Sequence, residues 1–134
     1  MRHLDAMLAQ FDAYTASLEK EGPSSLYEPI QYAMSTGGKR VRGLLTLYGG
    51  ELFGASLNDL YKPAYGIELL HNFTLVHDDI MDHAELRRGK PALYTKYGID
   101  SGILVGDTMS MMALQWSRSN LDPVSYTHLT LPTK

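Results

Sequence analysis

The sequence predicts an all-α domain. Apolar residues recur at three- and four-residue steps through most of the chain, which is the helical period. No stretch alternates apolar and polar residues in a way that demands a strand, and no internal repeat is present. Gly and Pro fall in short clusters between the periodic stretches, where they separate one helix from the next.

Leu4, Met7, Leu8, Phe11, Tyr14 and Leu18 form one stripe of a first amphipathic helix. Glu21-Gly22-Pro23-Ser24-Ser25 ends it, and Ser24 or Ser25 is expected to cap the second helix. Leu26, Ile30, Ala33 and Met34 continue in register until Gly37-Gly38 break the chain. A third helix is expected from about Val41 to Phe53, with Val41, Leu44, Leu45, Tyr48 and Leu52 on one side. Asn58 or Asp59 should cap a fourth, with Pro63 in its first turn. That helix carries Ala64, Ile67, Leu70, Phe73, Leu75 and Val76 and ends near Met81 or His83. Its apolar residues go most of the way round, so it is expected to be central and buried. Gly89-Lys90-Pro91 reads as a loop, and a last helix covers about Asp100 to Trp116. The helical pattern is lost over residues 117–134. Ser125 to Lys134 is Thr-rich and interrupted by Pro132, so an unstructured tail is expected. That tail also reads like the translation of a sequencing adapter, so the natural sequence is expected to continue differently after about Ser119.

The chain has 134 residues, the length of one domain. Lys and Arg number 12 against 15 Asp and Glu, a formal charge of −3, which argues against a general nucleic-acid binder. Hydrophobic residues at 44% and charged residues at 20% are the balance of a soluble globular protein. The absence of Cys excludes a disulfide scaffold, a thiolate zinc site and a Cys nucleophile. No apolar run is long enough to cross a bilayer, and the N-terminus does not read as a secretory signal. A cytoplasmic protein is expected.

Two charged clusters stand out. The first is His77-Asp78-Asp79-Ile80-Met81-Asp82, followed by Glu85 and by Arg87-Arg88-Gly89. Asp78 and Asp82 are four residues apart and project from the same face of a helix. Two carboxylates that close repel unless a cation lies between them. Mg²⁺ suits such a pair, because it takes one or two carboxylates and fills its shell with water and phosphate oxygens. The plainer alternative is a solvated helix end whose acids are offset by Arg87 and Arg88. The second cluster is Gly37-Gly38-Lys39-Arg40-Val41-Arg42-Gly43. Backbone N–H groups at a helix start, the helix dipole and nearby cations all favour an anion. It is not a P-loop, because the spaced first glycine and the Ser/Thr after Lys are missing. A loop followed by a solvated basic turn explains this cluster equally well. His71 lies two turns before Asp78 on roughly the same face, where its ring N–H can point at a second anion. A satisfied core histidine is the commoner role.

Gly38-Lys39-Arg40-Val41-Arg42, Glu68-Leu69-Leu70-His71, His77 to Asp82, Leu86-Arg87-Arg88-Gly89-Lys90-Pro91 and Gly106-Asp107 together resemble the trans-isoprenyl diphosphate synthases, or polyprenyl synthetases. The blocks occur in that family's order and spacing, over roughly residues 1–116. The resemblance implies the N-terminal half of an all-α isoprenoid synthase bundle around a deep cavity, homodimeric at full length. It implies a Mg²⁺-dependent condensation of an allylic diphosphate with isopentenyl diphosphate. Asp78 and Asp82 match the metal ligands, with Asp79 orienting the site, and Arg87 matches the residue that binds the allylic diphosphate. Lys39, Arg42, His71 and Arg88 match the isopentenyl diphosphate site; Arg40 stands among them without a settled role. Phe73 and Thr74 match the floor of the chain-length pocket, and an aromatic at Phe73 resembles short-chain, farnesyl- or geranylgeranyl-type synthases; a plain core role is the commoner one for an aromatic on a buried helix. Ionising a C–O bond in an apolar cavity needs the leaving charge neutralised and water excluded, which agrees with these clusters.

Two departures from the family pattern matter. Gly43 stands where the family usually has Pro, so a looser helix start is expected. The family's second aspartate-rich motif is absent, so this chain is expected to be a truncated piece, inactive alone. Asp107 cannot replace that motif; it is expected to support or pack against the site. Two rival readings remain. One is a non-catalytic partner subunit of a related synthase. The other is a different all-α enzyme such as a terpene cyclase, against which the Gly-Gly-Lys-Arg and Arg-Arg-Gly blocks argue.

Overall fold

The computed structural model describes residues 2–18 and 23–118. Six helices and one small hairpin follow in order: α1 (Arg2–Ser17), α2 (Ser24–Ser35), α3 (Val41–Leu52), α4 (Leu57–Met81), β1 (Leu86–Arg87), β2 (Lys90–Pro91), α5 (Leu93–Tyr97) and α6 (Ile99–Ser117). The class is all-α, as the periodicity implies. The expected tail beyond Arg118, and Glu21-Gly22 in the first helix stop, lie outside the described residues.

Helix α4, 25 residues long, is the centre. It packs against α6 on one side and α3 on the other. Two glycines let α6 approach closely. A Cβ on Gly66 would fall 2.9 Å from the backbone nitrogen of Ser117, and one on Gly106 would fall 2.2 Å from Nε2 of His77. Two apolar cores result. Ile30, Ala33, Met34, Leu69, Val76, Leu93, Val105, Met109 and Ala113 form the larger. Met7, Phe11, Leu44, Leu47 and Ala64 form the smaller, and Tyr65 packs against both.

Several local expectations are corrected. Neither Ser24 nor Ser25 caps α2; Pro23 holds the cap position, and its carbonyl accepts the N–H groups of Leu26 and Tyr27. Ser56, not Asn58 or Asp59, caps α4. Its hydroxyl donates to Asp59 Oδ2 at 2.8 Å and accepts the Asp59 N–H at 3.4 Å. The earlier start moves Pro63 from the first turn into the second. Helix α3 does not bury the stripe that the spacing picks out. Gly43, Leu44 and Leu47 face inward, whereas Leu45 is 67% and Leu52 82% exposed. Gly89-Lys90-Pro91 is not simply a loop. Lys90 and Pro91 pair antiparallel with Arg87 and Leu86, and Arg88-Gly89 turn the hairpin at positive φ. The short helix α5 follows it, unanticipated by the sequence pattern.

The hairpin is anchored. Tyr32 on α2 donates its hydroxyl to the Pro91 carbonyl at 2.8 Å, and the Ala92 N–H donates to the Glu85 carbonyl at 2.8 Å. Lys96 covers the Tyr32 ring at 4.0 Å from its centroid. These contacts fix where Arg87 and Arg88 emerge. Among the described residues no helix is long and apolar enough to cross a membrane.

Candidate functional site

The acidic motif forms the last turn of α4 and its cap. Asp82 is the C-cap residue, and its N–H donates to the Asp78 carbonyl at 2.8 Å. Asp78 and Asp82 are both exposed, four residues apart on one face. Asp79 points the other way. It is 3% exposed, and both its oxygens accept from Arg87 Nε, at 3.0 and 3.1 Å, while Arg87 Nη2 bonds Oδ1 as well. Those hydrogen bonds, aided by the fields of Asp79, Asp78 and Asp82, hold the Arg87 pKa above its ordinary value. Arg87 thus bonds Asp79 directly and reaches Asp78 and Asp82 through its field alone. Two outward carboxylates form a donor set that fits Mg²⁺, which binds through one or two carboxylates and completes its shell with water and phosphate.

The basic motif lines a separate pocket of about 330 Å³, together with Glu68, His71, Asn72 and Arg88: Lys39, Arg40 and Arg42 supply its other charges, and Gly37 and Val41 complete it. The structure therefore gathers Lys39, Arg42, His71 and Arg88, as the sequence match implies. Gly37 and Gly38, just before Lys39, carry φ of 89° and 154°, and the Arg88 guanidinium lies over Gly38. Arg88 reaches this pocket because it occupies the left-handed turn position, φ 52°, while Arg87 on the preceding strand turns to Asp79. The paired arginines thus serve different neighbours.

His71 is half-buried beside these cations. Desolvation first, then the positive field of Arg42, push its pKa below the ordinary 6.5; Glu68 opposes them, and Arg88 and Arg87 add smaller downward contributions. The folded state prefers neutral imidazole. The stability that His71 contributes is therefore present above about pH 6.5 and is lost as pH falls below it.

Phe73 packs against the larger core and meets the His77 ring edge-on, 5.0 Å between centroids. Thr74 is exposed and donates its hydroxyl to the His71 carbonyl at 2.7 Å. Asp107 lies 3.9 Å from His77 Nε2, whose ring also faces the Ile103 carbonyl at 3.3 Å. Gly43 does not loosen the start of α3. Its N–H donates to Glu68 Oε1 at 2.8 Å, a bond that Pro would lack.

Glu68 and Asn72 are site residues that sequence reasoning left without a role. With Asp79 they are the buried polar residues among those described. Their spacing of four and seven residues places them on one face of α4 as a single polar stripe. Asn72 reaches back along that stripe, donating its side-chain amide to the Glu68 carbonyl at 2.8 Å.

The chain is similar to known proteins. The sequence model of the polyprenyl synthetase family matches residues 23–131. A geranylgeranyl diphosphate synthase of Methanosarcina mazei is 38% identical over 113 residues, which is 84% of this chain and 33% of that protein. One of Sulfolobus acidocaldarius is 44% identical over 90 residues, 67% of this chain and 27% of the relative. A crystal structure of a geranylgeranyl pyrophosphate synthase superimposes with a TM-score of 0.83 at 39% identity, covering 93% of this chain and 38% of that one. The chain thus spans about a third of the length of these curated relatives.

Two outcomes follow from the geometry. Asp79→Asn is expected to cost about 2–4 kcal/mol in urea unfolding, because it removes one partner of a largely buried ion pair. A loss below about 0.5 kcal/mol would contradict the pairing. Inorganic pyrophosphate in the basic pocket would offset the cations beside His71 and raise its pKa. Binding is therefore expected to draw a proton onto His71. Calorimetry in buffers of different ionisation enthalpy checks it: at the same pH the parent should take up more protons, or release fewer, than His71→Gln, and equal proton counts would contradict the coupling.

Proposed function

The chain belongs to the polyprenyl synthetase family, and from that premise we propose that the whole protein is a Mg²⁺-dependent prenyltransferase that joins an allylic diphosphate to isopentenyl diphosphate. The observation that carries the reading is a pair of separate charged clusters along α4: outward carboxylates at its end and, beside its middle, a pocket whose cations come from the start of α3 and the hairpin turn. A reaction with two diphosphate substrates needs both. In it the allylic C–O bond breaks, a C–C bond forms to the isopentenyl double bond, one proton leaves, and diphosphate is released.

Asp78 and Asp82 are the residues that would hold Mg²⁺. When bound, Mg²⁺ supplies charge neutralisation for the departing diphosphate. Asp79 is a positioning residue, because both its oxygens are engaged by Arg87. Arg87 keeps its Nη1 edge for the allylic diphosphate. Lys39, Arg42, His71 and Arg88 bind the diphosphate of the isopentenyl substrate, Arg42 and Arg88 through guanidinium forks that suit phosphate oxygens. The apolar flank of α4 gives the reacting carbons a wall that excludes water.

Phe73 and Thr74 set the depth open to the growing chain, which suits a farnesyl- or geranylgeranyl-type product. The relatives named geranylgeranyl synthases support that range. Residues 1–116 form the N-terminal half of the synthase domain in this reading, and a homodimer in the cytoplasm is its expected form.

Asp78→Asn in the whole protein is expected to lower the rate of Mg²⁺-dependent condensation about 100-fold or more. Radiolabelled isopentenyl diphosphate incorporation measures it, and an unchanged rate would overturn the assignment.

A further inference from the structure

The anion pocket contains a carboxylate, the wrong charge for its ligand. Glu68 lines it together with Lys39, Arg40, Arg42 and Arg88. Its side chain is 6% exposed, so water does little to screen it. Two contacts account for its presence. Oε1 accepts the Gly43 N–H at 2.8 Å, in the first turn of α3. Oε2 lies 4.0 Å from Arg40 Nη1.

Arg40 differs from the other cations of the pocket. Lys39, Arg42 and Arg88 are exposed, whereas the Arg40 side chain is only 15% exposed. Its Nη2 donates to the Met34 carbonyl near the end of α2 at 2.8 Å, and its Nε lies 3.7 Å from Asp12 on α1. Its backbone sits at φ 48°, the left-handed region, as the residue that opens α3. Arg40 therefore meets α1, α2 and α4 at the point where α3 begins.

We propose that Arg40 is a positioning residue and not a diphosphate ligand: it neutralises Glu68 beneath the pocket, and Glu68 in turn fixes the turn that presents Arg42. The small side chain at 43 is part of the device. A Cβ there would fall 2.8 Å from the Phe11 ring and 3.2 Å from Glu68 Cγ, which would push α3 off its buried acceptor. The inference rests on the reading of this pocket as a diphosphate site.

The test is a double-variant cycle in the whole protein, read by calorimetric binding of inorganic pyrophosphate without Mg²⁺. Arg40→Met leaves Glu68 uncompensated beside the anion and is expected to weaken binding about 10- to 100-fold. Arg40→Met with Glu68→Gln removes both charges and is expected to bind within about threefold of the parent. A double variant as weak as Arg40→Met, or an Arg40→Met variant of parental affinity, overturns the proposal. Where Arg40→Met is too unstable to titrate, the double variant decides alone: near-parental affinity supports the proposal, and a tenfold loss overturns it. Failure of the parent to bind pyrophosphate overturns the pocket reading instead. The ion pair is then judged by melting temperature, where rescue of Arg40→Met by Glu68→Gln supports it and additive losses overturn it.

Discussion

The rotational phase of α4 is the constraint on which the rest depends. An α-helix advances about 100° per residue. His71, Asp78 and Asp82 therefore fall within about 40° of one another around its axis. Glu68, Asn72 and Asp79 form a second stripe about 80° away. The second stripe is buried and bonded, and the first is left for solvent and ligands. A shift of one residue would bury Asp78 and expose Asp79. The close crossing with α6, through Gly66 and Gly106, holds that phase by steric fit. The buried pairing of Asp79 with Arg87 holds it by charge.

The same division explains how strong charge of both signs coexists on a small scaffold. Each charge that the fold needs for itself is buried against a partner: Asp79 with Arg87, Glu68 with Arg40 and the Gly43 N–H. Asp78 and Asp82, and likewise Lys39, Arg42 and Arg88, are exposed and grouped by sign. Exposed like charges in a group raise the energy of the empty site and favour a counter-charged ligand. The hairpin separates the two halves of this arrangement within two residues. Arg87, on a strand, faces the acids, and Arg88, in the left-handed turn, faces the basic pocket.

Much of this was legible in the sequence. The long helices announce themselves by period, and the acidic and basic motifs by composition and spacing. What was not legible has physical causes. Helix α5 is five residues long and each strand is two, too short for a period to show. Helix α3 is apolar on more than one side, so its pattern alone does not say that Leu47 is buried and Leu45 exposed. Three cap-forming residues lie among positions 56–59, and hydrogen-bond geometry chose Ser56. Arg40 reads from sequence like its basic neighbours. The Met34 carbonyl and the burial of its side chain distinguish it, and both are long-range facts.

The central claim is that two separate diphosphate sites border α4, one at its end and one where its middle meets α3 and the hairpin, and that only the first needs metal. Counting pyrophosphate sites by calorimetry on the whole protein, with and without Mg²⁺, tests it most directly. The account predicts one site in the presence of a chelator, at the cationic pocket, and a second that appears only with Mg²⁺. A single site that requires Mg²⁺, or a site number indifferent to it, would contradict the account.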